Sequence, residues 1–76
     1  MIELLREMRK DMMLSLRELS QLSGISKTYL IDMEKHPGEC NPTFNMIYKL
    51  ECSLNLEHGV VYLYFVYCRT NNIEHF

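Results

Sequence analysis

The sequence predicts an all-α fold, a compact bundle of four to five helices, and three observations predict it. Apolar residues recur at three- and four-residue spacing through the first half of the chain, the period of a helix with one buried side. Ser15-Leu16-Arg17-Glu18 spells a reciprocal helix start, in which serine and glutamate each satisfy the other's backbone amide. Ser23-Gly24 then stops that helix, and Ser26 opens another at once.

The chain has 76 residues, room for one domain (1–76) with a modest core. A domain of that size is marginal alone, so dimerisation or very close helix packing is expected. At 47% hydrophobic and 24% charged residues the composition excludes a disordered chain. No basic segment precedes an apolar stretch at the start, so no signal peptide is read. The longest apolar run, Val60–Cys68, is too short for a membrane helix. Three cysteines without framework spacing suit a reducing compartment, and the expected location is the cytoplasm. The net charge of −2 lacks a basic footprint. Residues 1–35 are neutral, with Arg6, Arg9, Lys10, Arg17, Lys27 and Lys35 against six acids.

The first helix is expected over 2–12, with Ile2, Leu5, Met8 and Met12 on one side, Leu4 beside them, and pairs Glu3–Arg6 and Glu7–Lys10 on the other. The second begins after Ser15 and ends at Gly24, with Leu14 and Leu19 placed as a hydrophobic staple. The third follows the Ser26 cap, stapled by Ile25 and Leu30. Leu30, Met33 and Glu34 line one side of it, while Lys27, Thr28, Ile31, Asp32 and Lys35 face away from that side. Residues 36–42 form a loop by their proline and glycine content. Thr43, or Asn41 with Pro42 in the first helical position, caps a fourth helix striped by Phe44, Ile47, Tyr48, Leu50 and Leu54. The last element, 57–70, is open between strand and helix. Val60–Tyr67 is rich in β-branched and aromatic residues and apolar on both sides. The run is either a last core element folded over the four helices or a dimer interface, by strand pairing or aromatic packing. The interface reading is preferred, because aromatics are enriched at interfaces, and it uses Val61, Leu63, Phe65 and Tyr67.

Two short helices joined by Ser23-Gly24-Ile25 make a helix-turn-helix over 15–35, the arrangement that places its second helix in the DNA major groove. Arg9, Leu14-Ser15, Glu18-Leu19, the run Gly24–Leu30, Met33-Glu34 and Asn41-Pro42-Thr43 together resemble the lambda-repressor-like family, the Cro and XRE group, over roughly residues 2–56. The resemblance implies a five-helix cytoplasmic transcription regulator of bacteria, phages or mobile elements, a homodimer on palindromic double-stranded DNA. It implies base contacts from Lys27, Thr28 and Asp32, and backbone contacts from Ser26 and Tyr29. Arg17 and Lys35 are added as phosphate partners by their charge, and Arg9 with Glu34 matches a structural ion pair of the family.

The chain departs from that pattern at three places. Leu16 stands where the family often has a phosphate-bonding glutamine, the loop after the third helix is longer and carries Glu39, and Glu51 replaces a small residue within the fourth helix. With Arg17, Lys27 and Lys35 as the cations, a dimer would have a salt slope of about −5, at about −0.9 per neutralised phosphate. An interaction module on the same scaffold, antitoxin-like and with weak or no DNA binding, is the rival reading, supported by Leu16, Ile31, Asp32 and the acidic balance.

Other chemistry has little support. Cys40, Cys52, Cys68, His36, His58 and His75 show no zinc-ligand spacing, so no metal or other cofactor is expected. Met8, Met12, Met13, Met33 and Met46 read as core filler. No nucleophile–base pair or phosphate loop is present, so no enzyme is expected. Without a second domain, no small-molecule ligand is expected either.

Overall fold

The computed structural model describes residues 4–74, with side chains described through residue 70. Ile2, Glu3 and His75, and the Glu3–Arg6 pair read from the sequence, lie outside the described residues. Five helices occupy the described chain: α1 Leu4–Asp11, α2 Leu16–Ser23, α3 Lys27–Lys35, α4 Phe44–Ser53 and α5 Val60–Glu74. A short 3-10 turn, Pro37–Glu39, lies between α3 and α4. The Cα radius of gyration is 11.7 Å. No helix among the described residues is long and apolar enough to cross a membrane.

The core is assembled from one side of each helix. Leu5, Leu19, Leu30, Met33, Leu50 and Val61 are fully buried, with Ile25, Ile47, Leu54 and Phe65 nearly so. Leu14, Met8 and Met46 pack partly against this cluster. Met12 and Met13 do not fill it; they are exposed at the end of α1. There the chain turns through Met13 at φ 57°, a left-handed conformation in a residue with a Cβ, and so no glycine marks this stop.

The helix starts rest on side-chain caps. The Glu18 amide donates to Ser15 Oγ at 3.1 Å, and the Ser15 amide donates to Glu18 Oε1 at 2.9 Å. Gly24, at φ 75°, closes α2 by donating its amide to the Ser20 carbonyl. Thr43 caps α4 through Met46, so α4 starts at Phe44 and not at Pro42. The buried side of α4 is Ile47, Leu50 and Glu51, continued by Leu54 just past its end; Phe44 and Tyr48 are exposed and line a groove against Tyr62 and His58 instead.

The tail is a helix. Val61, Tyr64, Phe65 and Cys68 follow helical spacing and pack inward, so α5 closes the bundle over α4 and the 3-10 turn. The expected dimer face is thereby split. Val61 and Phe65 belong to the protein's own core, while Leu63 and Tyr67 stand outside at 65% and 61% exposure. Residues two apart share a face on a strand but diverge on a helix, so no dimerisation strand forms here.

The start of α5 has no serine, threonine or aspartate of its own. Glu51, buried within α4, supplies the cap: its Oε2 accepts from the amides of Gly59 (2.8 Å), Val61 (3.0 Å) and Tyr62 (3.4 Å). Gly59 reaches this position at φ 106°, where a side chain would be strained. His58 Nδ1 lies 3.4 Å from the same carboxylate while its ring stacks on Tyr48. The residue that departs from the family pattern therefore ties α4 to the first turn of α5.

Candidate nucleic-acid interface

The turn between α2 and α3 fixes how α3 is presented. Its geometry rests on Ser23, read from the sequence as part of the helix stop, and on Ser20, which the sequence reading left unassigned. The buried Ser23 hydroxyl donates to the Leu19 carbonyl (2.7 Å) and accepts from the Ile25 amide (3.2 Å). The Ser20 hydroxyl donates to the Ile25 carbonyl. With Ile25 and Leu30 sunk in the core, the N-terminal end of α3 points out of the bundle.

The other end of α3 is tied to α1. Arg9 Nε donates to Glu34 Oε2 at 2.7 Å, its Nη2 to Oε1 at 3.2 Å, and its Nη1 to the Leu14 carbonyl at 2.8 Å. Both partners are buried, so the pair holds α1, the α1–α2 connection and α3 in one arrangement.

Between these anchors, Lys27, Thr28, Asp32 and Lys35 are exposed along one side of α3, and Ile31 is half-buried. Ser26 is exposed, but its hydroxyl oxygen is engaged by the Tyr29 amide at 3.2 Å; a further contact there would use the hydroxyl proton. Tyr29 is half-buried. Burial, then the neighbouring Cys40 and Asp32, push its phenol above the ordinary range against an opposing contribution from the Asn41 amide. The group therefore stays protonated and can donate. Arg17 is exposed in the first turn of α2. Among the described residues no His, Cys, Asp and Glu cluster is arranged to hold a metal ion.

A helix locked at both ends, with polar and cationic residues on its outer side, is the geometry of a recognition helix. A family model described as helix-turn-helix matches residues 5–61.

The chain belongs to the helix-turn-helix family, of the Cro/C1/XRE type.

The matched stretch covers α1 through the start of α5, so it includes both anchors of α3. As a member of this family the helix-turn-helix protein is a DNA-binding regulator, and the family is generally non-enzymatic. No curated protein and no solved structure matches the chain.

Two grooves flank α3 in this helix-turn-helix domain. One, of about 400 Å³, lies beside its C-terminal half and is lined by Arg6, Arg9, Leu16, Ile31, Glu34 and Lys35. The other, of about 250 Å³, lies at its N-terminal end, where Ser26 and Tyr29 face Asn45 and Lys49 of α4. Arg6 and Lys49 were not among the sequence-derived candidates. They sit on helices outside the motif, and only packing brings them alongside α3.

Proposed function

We infer that this protein is a sequence-specific transcriptional repressor of the cytoplasm that acts as a homodimer on a palindromic operator. The observation that carries the reading is the outer side of α3, where Lys27, Thr28, Asp32 and Lys35 are exposed together while both ends of the helix are anchored in the bundle. In this reading Lys27 donates to guanine, Thr28 meets a thymine methyl or a base acceptor, and Asp32 accepts from a cytosine amino group. Ser26, Tyr29, Arg17 and Lys35 contact the backbone.

The dimer in this reading forms on the outer side of α5. The first nine residues of that helix, Val60–Cys68, are apolar all round, which is unusual for a surface helix. Its outward residues, Tyr62, Leu63, Val66 and Tyr67, are exposed, and no charged residue occurs from Val60 through Cys68. An uncharged apolar face can pack on a copy of itself across a two-fold axis without repulsion. Two copies so joined would present their α3 helices to half-sites about 34 Å apart.

The test is selection from a randomised duplex pool, followed by a salt titration on the retained sequence. Enrichment of a palindrome whose affinity falls as salt rises supports the reading, and Lys27→Glu should erase the enrichment. No enrichment by the wild-type protein, with no binding even at low salt, would refute it and direct the search to a protein partner for the same helices.

A further inference from the structure

The geometry points to Arg6 and Lys49, one at each end of α3, as the residues that grip the two phosphate backbones bordering the major groove; the assignment rests on the DNA-binding reading above. The sequence leaves that reading short of cations, since Leu16 cannot bond a phosphate and the net charge is −2. Tertiary packing supplies what is missing locally. Arg6, exposed on α1, shares the groove beside the C-terminal half of α3 with Lys35 and with Leu16 itself. Lys49, exposed on α4, shares the groove at the N-terminal end of α3 with Ser26, Tyr29 and Asn45.

The spacing fits the partner. A helix of nine residues, the length of α3, is about 13 Å long. The major groove of B-DNA is about 12 Å wide. With α3 lying in that groove, its two ends meet the two bordering backbones, and each flanking groove brings a long cationic side chain to the phosphate it faces. Arg6 suits the site bordered by Leu16 and Ile31, because its planar guanidinium can bond a phosphate bidentately while its aliphatic stem lies along an apolar floor. Lys49 acts as a point charge beside two polar side chains and the α3 cap. Neither contact reads a base, so both raise affinity without changing which sequence is bound.

The assignment changes a measurable quantity. Four phosphate-contacting cations per subunit, namely Arg6, Arg17, Lys35 and Lys49, give a dimer a salt slope of about −7, where Arg17 and Lys35 alone give about −4; Lys27, placed on a base, is left out of the sum. Each of Arg6→Gln and Lys49→Gln should lower the magnitude by about 1.8, and the double variant should return it to about −4. Both side chains are exposed and glutamine is a good helix former, so both variants should keep the helical fold, which far-UV circular dichroism checks.

The experiment titrates the duplex enriched by the wild-type protein against each variant between 50 and 200 mM salt, and repeats the selection with each. A shallower slope in both single variants, with the same palindrome enriched, is the expected result. A wild-type slope in either variant, or a changed sequence preference, overturns the assignment while the DNA-binding reading stands. Failure of the wild-type protein to bind any duplex overturns both.

Discussion

Replacing Glu51 by alanine removes the acceptor that starts α5, and the cost follows from its contacts. The carboxylate is 3% exposed and holds two amides at 2.8 and 3.0 Å and a third at 3.4 Å. Hydrogen bonds to a charged group contribute about 1.5–3 kcal/mol each, and loss of an ordinary N-cap costs about 0.5–2 kcal/mol. Two terms oppose the full sum. Amides at a helix end recover some hydration when the side chain is cut back, and the unfavourable burial of a carboxylate disappears with it. A net loss of about 2–3 kcal/mol is expected, which in a domain of this size lowers Tm by roughly 10–20 °C. Glu51→Gln keeps one accepting oxygen and should lose about 1 kcal/mol. Thermal and urea unfolding followed by far-UV circular dichroism reads both. If Glu51→Ala stays within about 0.5 kcal/mol of the wild type, or Glu51→Leu is more stable than it, desolvation outweighs the three bonds and the capping argument is wrong.

Three further outcomes follow from the same structure. Breaking the buried Arg9–Glu34 pair by Arg9→Met should cost about 3 kcal/mol, because an unpaired carboxylate stays buried; the double variant with Glu34→Leu should lose less than the two single changes summed, as urea unfolding of a double-mutant cycle would show. The Ser15 amide and, secondarily, its hydroxyl hold the Glu18 carboxyl below the ordinary glutamate range. A depressed folded-state pKa contributes stability above the unfolded value and loses it as pH falls through the folded one, so Glu18→Gln should flatten the acid side of the Tm–pH profile. Leu63→Glu places a charge on the outer side of α5 without touching the core, so if the dimer proposed above forms there, sedimentation should show it for the wild type and a folded monomer for the variant; a variant dimer of undiminished affinity would exclude this face.

What the sequence determined by itself was local. Ser15 with Glu18, Gly24, Ser26 and Thr43 set helix ends through bonds spanning three or four residues, and such spacings are readable in one dimension. The buried side of α3 was likewise legible from Leu30, Met33 and Glu34, because helical period alone assigns it. The stop of α1 at Met13 was not, since nothing in that residue announces a left-handed turn.

The tertiary structure decided the rest, for a common physical reason. The tail run is apolar on both sides, so local pattern favours neither strand nor helix; the choice follows from packing against α4 and from Glu51, eight to eleven residues earlier, which accepts the first-turn amides. That packing turned Val61 and Phe65 inward and left Leu63 and Tyr67 outside. It also brought Arg6 and Lys49, from helices on either side of the motif, to opposite ends of α3. Caps and periods are encoded in neighbours along the chain, whereas a surface assembled from three helices exists only once the core has fixed their relative positions.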